Sequence, residues 1–220
     1  MKPTTLPGVY KKGERLYTEC LEGRSLPNVY NERIICFKGK HYRSWNPYRS
    51  KLAAALLKKL SFPLTNSSTV LYLGAATGTT VSHVSDMVQQ GTIFAIENSP
   101  LATRKLLELC KHRRNIIPIC EDANHPERYK FLLPLSVDIV YQDISQRNQA
   151  EIFSENISAF LKPGGTAIIM VKARSIDISL PPGKVYEHVK ENLIEHKLTI
   201  TDSISLSPYE KDHSAITVCL

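Results

Sequence analysis

From about Ser61 onward the apolar positions switch repeatedly between two periods. Short apolar runs predict buried strands at Val70–Gly74, Thr92–Ile96, Ile116–Ile119, Val137–Tyr141 and Thr166–Lys172. Helical spacing covers Thr79–Gln89 and Gln149–Leu161, and Ser99-Pro100 opens a further helix with proline at its first position. Lys162-Pro163-Gly164-Gly165 predicts a helix-stopping turn. Strand and helix alternating over this length predict a parallel sheet covered on both faces.

The two ends read differently. After a helix near Lys184–His196, Leu198–Leu206 and Ser214–Cys219 are consecutive strand-like runs joined by Ser207–His213. They bring the sheet to seven strands and end it in an antiparallel pair. That ending predicts the α/β, Rossmann-like class I methyltransferase architecture, which dehydrogenases normally lack. At the other end Tyr10, Leu16–Thr18, Val29–Tyr30 and Ile34–Phe37 are short β-like pieces among Gly, Pro and polar residues. They predict a small antiparallel β subdomain over residues 1–42. Arg43–Pro47 breaks the chain, Ser50–Leu60 is an amphipathic helix, and residues 43–220 form the main domain.

Composition changes the picture in one respect. Hydrophobic residues make up 42% of the 220, enough for an ordinary core. Residues 1–60, however, hold 13 Lys+Arg against 4 Asp+Glu, and residues 61–220 hold 15 against 17. All the net basicity therefore sits in the first quarter, as either a solubilising lysine-rich face or a surface that meets a polyanion. The N-terminus has no apolar signal segment and no run is long enough for a membrane span. Cys20, Cys36, Cys110, Cys120 and Cys219 are odd in number and widely spaced, which predicts reduced thiols and no zinc site.

Candidate chemistry lies at the strand ends. Leu73-Gly74-Ala75-Ala76-Thr77-Gly78-Thr79-Thr80 joins the first main strand to its helix, where open α/β sheets bind ligands. Glu97 ends the second strand, placed to bind ribose hydroxyls, while Asp122 follows the third and Asp143 the fourth. The glycine spacing is neither G-x-G-x-x-G nor a P-loop. A ligand with ribose and adenine but no pyrophosphate fits better, and S-adenosylmethionine is such a ligand.

Several longer stretches resemble the fibrillarin family. They are Tyr42–Ala54, Val70–Asp86, Asn115–Pro118, Glu121-Asp122-Ala123, Asp143-Ile144-Ser145-Gln146 and Pro208–His213, spread over about residues 30–220. The Gly/Arg-rich extension of eukaryotic members is missing, so the resemblance is to the short archaeal form. It implies an S-adenosylmethionine-dependent 2′-O-methyltransferase of rRNA and tRNA within a box C/D ribonucleoprotein. A guide RNA would select the nucleotide there, beside a Nop-family scaffold and a kink-turn-binding ribosomal-type protein. The implied location is cytoplasmic for an archaeal form and nucleolar for a eukaryotic one, with no membrane partner.

By position, the resemblance puts Gly74, Thr79 and Thr80 near the methionine and ribose, Glu97 and Asn98 at the ribose, and Asp122 and Ala123 at adenine. Asp143, Ile144, Ser145 and Gln146 complete that pocket. The family's usual aromatic after the ribose acid is Asn98 here, which removes a stacking face. Lys51, Asp143, Lys172 and His213 are the implied catalytic set: Lys172 as base or oxyanion partner, held by Asp143, with Lys51 and His213 positioning the hydroxyl. Arg43, Arg49 and Lys51 are expected to face RNA. Blander readings stand beside these: a solvated strand end for Lys172, a surface loop residue for His213, a core anchor for Trp45, structural roles for His83 and His125, and a solvated carboxylate for Asp86. A non-catalytic RNA-particle subunit and a small-molecule methyltransferase remain the competing functions.

Overall fold

A computed structural model describes residues 1–20 and 28–220. β1 (Lys2–Pro3), β2 (Val9–Lys12), β3 (Arg15–Cys20), β4 (Ile34–Phe37) and β5 (Lys40–Trp45) form an antiparallel sheet in the order β1-β2-β3-β5-β4. Val29–Tyr30, expected as a strand piece, is a bend outside this sheet. The chain break also falls later than expected. β5 runs through the anticipated 42/43 boundary, because Arg43 and Trp45 both point inward, and it stops only at Asn46-Pro47.

Then follow α1 (Lys51–Leu57), β6 (Thr69–Leu73), α2 (Thr79–Met87), β7 (Thr92–Ile96), α3 (Pro100–Cys110), β8 (Ile116–Ile119) and β9 (Val137–Gln142). α4 (Gln149–Phe160), β10 (Leu161–Lys172), α5 (Ala173–Ile176), α6 (Pro182–Glu195), β11 (Thr199–Ser205) and β12 (His213–Cys219) complete the chain. The seven strands lie in the order β11-β12-β10-β9-β6-β7-β8, and β12 alone runs against its neighbours. The expected mostly parallel α/β sheet, with its antiparallel pair at the end, is therefore present.

Alternation along each strand fills both faces. Val70 and Tyr72 of β6 pack with α1, α2 and the N-terminal sheet, while Leu71 and Leu73 pack with α4 and α6 on the other side. α4 stops at Phe160, just before Lys162–Gly165, as expected. This segment also forms the irregular start of β10, where the register to β9 shifts between Leu161 and Thr166 and Gly164 takes φ +73°. The strand order reverses between β6 and β9, so loops leave these neighbouring strands toward opposite faces. That opens a crevice at their carboxyl ends.

Candidate active site

The crevice is built by the loops after β6, β7, β8 and β9. A cavity of about 240 Å³ there is lined by Gly74, Glu97, Asn98, Asp122, Ala123, Asp143, Ile144, Ser145 and Gln146, all expected, together with Ala76, Ile96 and Glu121. Ala76 and Ile96 have no side-chain chemistry that a sequence pattern could flag. Glu121 is signalled only by standing beside Asp122. Thr79 and Thr80 open α2 and do not line this cavity; the Thr80 hydroxyl donates to Ser50 Oγ at 3.0 Å.

Backbone geometry makes the glycine loop specific. Gly74 takes φ +83°, and a Cβ there would stand 2.5 Å from the Asp143 carbonyl oxygen. The loops after β6 and β9 can touch only because that atom is missing. Glu97 then ties the loop down: its Oε2 accepts from Ala76 N and its Oε1 from Ser99 N, both at 2.8 Å. A carboxylate has about four acceptor positions, so two remain open to further donors. Asp122 Oδ1 accepts from Asn124 N and Nδ2, and these bonds hold its carboxyl below the usual range, ionised. Asn124 Nδ2 also donates to Gln146 Oε1, linking the β8 and β9 loops across the cavity. A glycine cradle, two fixed carboxylates and small apolar walls fit a nucleoside-bearing cofactor such as S-adenosylmethionine.

Of the implied catalytic groups, Asp143 lines this cavity, with Lys51 and His213 near it. The Lys172 side chain makes no hydrogen bond or ion pair among the described residues: Asp143 holds Lys51, not Lys172 as expected. Lys51 Nζ pairs with Asp143 Oδ1 at 2.6 Å, on a half-buried rim. Lys172 ends β10 directly opposite His213, the first residue of β12. Gln149 fixes the Lys172 backbone by accepting from its N and donating to its carbonyl. His213 is 9% exposed, and its Nδ1 donates to the Lys211 carbonyl at 2.6 Å. A carbonyl only accepts, so Nδ1 carries the proton and Nε2 presents a lone pair, buried and without a hydrogen-bond partner. Burial first, then the Lys51 charge, pushes the His213 pKa down and favours this neutral form.

Arg43 departs from expectation. It was expected to face RNA, yet it is 1% exposed, donating to Glu32 Oε1 from Nε and Nη2 and to Asp86 Oδ2 at 2.8 Å from Nη1. Asp86 is likewise no solvated carboxylate: it also accepts from Arg113 Nη1 and the Thr18 hydroxyl, each at 2.6 Å. These groups, with His83 between Thr18 and Tyr30 and stacked on the buried Trp45, weld the N-terminal sheet to α2. Arg49 is exposed, its guanidinium 5.9 Å from the Tyr30 ring centroid. His125 sits in a loop beside Glu127. Among the described residues, no cluster of three or more His, Cys, Asp or Glu could hold a metal, and no helix is long and apolar enough to cross a membrane.

The family model described as Fibrillarin matches residues 2–220. The fibrillarin-like rRNA/tRNA 2′-O-methyltransferase of Thermococcus sibiricus is 46% identical, over 99% of this chain and 98% of that protein. Among solved structures, Aeropyrum pernix fibrillarin with natively bound S-adenosyl-L-methionine is 40% identical at a TM-score of 0.89, over 99% of this chain and 96% of that one. The fibrillarin of a fibrillarin/Nop5p complex is 42% identical at a TM-score of 0.86, over 99% of both chains.

Proposed function

The chain belongs to the fibrillarin family, and from that footing we propose that it methylates the 2′-hydroxyl of ribose in rRNA and tRNA using S-adenosylmethionine. The observation that carries this reading is the double position of Asp143. It lines the nucleoside-shaped cavity and holds Lys51 at 2.6 Å on the adjoining rim. Cofactor site and reaction site thus meet at one carboxylate.

Glu97 would hold the ribose of the cofactor and Asp122 the adenine edge, with Gly74 letting the backbone approach. When bound, S-adenosylmethionine supplies an electrophilic methyl group on its sulfonium. The residues of this chain have the remaining work: aligning a ribose hydroxyl and removing its proton. His213 suits the second task, because its Nε2 lone pair is unshared and its neutral form is favoured. Lys51 and Lys172 suit the first, as cations beside the oxygen where negative charge develops. Lys172 is thereby an oxyanion partner, and His213 the proton acceptor.

In this reading the protein works in a ribonucleoprotein with a Nop-family scaffold, which its similarity to the fibrillarin of a fibrillarin/Nop5p complex supports. A box C/D guide RNA and a kink-turn-binding protein complete the particle in this reading, with base pairing choosing the nucleotide. The test is a methylation assay with scaffold, kink-turn protein and guide omitted in turn, beside calorimetry with S-adenosylmethionine. Transfer requiring each component is expected. Failure to bind the cofactor at millimolar concentration would instead make the chain a non-catalytic subunit.

A further inference from the structure

The basic first quarter of the chain is rearranged by the fold. Arg43 is neutralised by Glu32 and Asp86, Lys51 by Asp143, and Lys40 by Glu19. The cations left without a carboxylate partner among the described residues include Lys2, Lys11, Lys12, Arg15, Arg33 and Lys59, and they are not scattered.

Lys12, Arg15 and Arg33 line one cleft of about 210 Å³ over Tyr17 and Ile35, on the outer face of the N-terminal sheet. Lys2, Lys11, Lys12 and Lys59 rim a second and larger cleft with an apolar floor, between that sheet and the segment following α1. Lys11 and Lys12 point to opposite faces of β2, but Lys12, at the β2–β3 hairpin, lines both clefts. The two therefore meet as one band around that edge of the sheet, and no carboxylate lines either. The strand register makes this arrangement costly in isolation. Lys2 stands directly opposite Lys11, and Lys12 directly opposite Arg15. Like charges in directly opposed positions destabilise an antiparallel pair. Two such pairs stand in one sheet; Glu14, in the turn between Lys12 and Arg15, forms no ion pair with either among the described residues, and an anion bridging each pair would relieve the repulsion.

We propose that this band, centred on Lys12, Arg15 and Arg33, is a second binding site for the phosphate backbone of RNA, separate from the catalytic rim. It rests on the RNA-methyltransferase reading above and extends it. Lys51 opens α1 at the rim, while Lys59 and the segment to Leu64 follow the far end of that helix. Seven helical residues separate the two by about 10 Å. RNA held on the band is therefore not the reacting nucleotide but another part of the same RNA or of its guide. Phosphates spaced along a strand can lie between Lys2 and Lys11 and between Lys12 and Arg15, relieving both repulsions. Recognition of this kind is independent of base sequence.

The experiment uses the full chain and a labelled short oligouridine, followed by fluorescence anisotropy over a salt series. Charge reversal at all three positions (K12E, R15E, R33E) is expected to weaken binding about tenfold or more and to flatten the log K against log salt slope by about 2. A control with equal charge change at the exposed Lys130, Lys184 and Lys197 should move both far less. S-adenosylmethionine affinity and the unfolding midpoint should match the parent for both variants. Unchanged oligouridine affinity, or an equal loss in the control, overturns the proposal. So does a triple variant that keeps its RNA affinity but no longer assembles with the scaffold, since the band would then be a protein interface. The two readings fail separately: a parent that binds oligouridine but transfers no methyl group in the particle sinks the enzyme reading and leaves the band.

Discussion

Lys51 Nζ lies 2.6 Å from Asp143 Oδ1, joining the first residue of α1 to the first residue beyond β9. Asp143 alone of the two also lines the cofactor-shaped cavity, so their substitutions should separate. Lys51→Met is expected to slow methyl transfer by about 10²-fold while leaving S-adenosylmethionine affinity nearly unchanged. Asp143→Asn should lower both. Single-turnover transfer in the reconstituted particle and calorimetry read the two effects; a parental rate from Lys51→Met would make the pair merely structural.

Arg43→Met should be a stability mutation rather than an RNA-binding one. It strands Glu32 without a cation in the interior and leaves Asp86 with Arg113 alone, and removing one partner of a buried ion pair costs about 3–5 kcal/mol. Denaturant unfolding measures this. Arg43→Lys should recover only part of the loss, because a single ammonium cannot reproduce the guanidinium fork to both acids. The salt slope of RNA binding by the folded variant should stay parental.

Stability should fall as pH drops below about 6.5, before the carboxylates titrate. Burial, with Arg43 and Arg113 nearby, holds the His83 pKa well below its ordinary 6.5. The unfolded chain then binds more protons than the folded one just below 6.5, so stability rises with pH in that window. Its contribution is complete above 6.5 and is lost progressively on the acid side. Melting temperatures taken from pH 7 to 5 check this; a flat profile for the parent chain would contradict it.

His213 predicts a distinct rate profile. Because burial lowers its pKa, Nε2 stays unprotonated as pH falls through 6.5. Methyl transfer should hold at that pH and decline only further into acid, and His213→Gln should remove roughly 10²-fold of the rate. An acidic limb centred at or above 6.5 would argue for another base.

Asn98 is exposed at the cavity wall, where the family's aromatic would stack on the cofactor. Asn98→Tyr should tighten S-adenosylmethionine binding roughly two- to tenfold, the range expected of one aromatic contact. Calorimetry of the variant against the parent decides it; equal affinities would mean that the adenine does not reach this side chain.

Much of this protein is legible locally. Strand and helix alternation, the glycine loop, and acids at successive strand ends all follow from short-range rules. Side-chain period, turn conformation and helix capping each involve residues a few positions apart. The cavity lining at Glu97, Asp122 and Asp143 was therefore readable before any tertiary contact was known. The Pro-Gly-Gly run at Lys162–Gly165 signals the end of α4, but that the same residues also begin β10 as a bulged strand start is decided only by pairing with β9.

What the chain order could not decide is the fate of its charges and protons. Whether Arg43 meets RNA or the interior depends on Glu32 and Asp86, brought from 11 and 43 residues away. Lys51 finds its acid 92 residues on. The tautomer of His213 is set by one carbonyl, and its neutrality by burial and by Lys51. Local pattern fixes which residues face a core, because packing period is a property of the backbone. Ionic and hydrogen-bonding roles depend on which atoms stand within about 3 Å, and that is decided only when distant segments fold together.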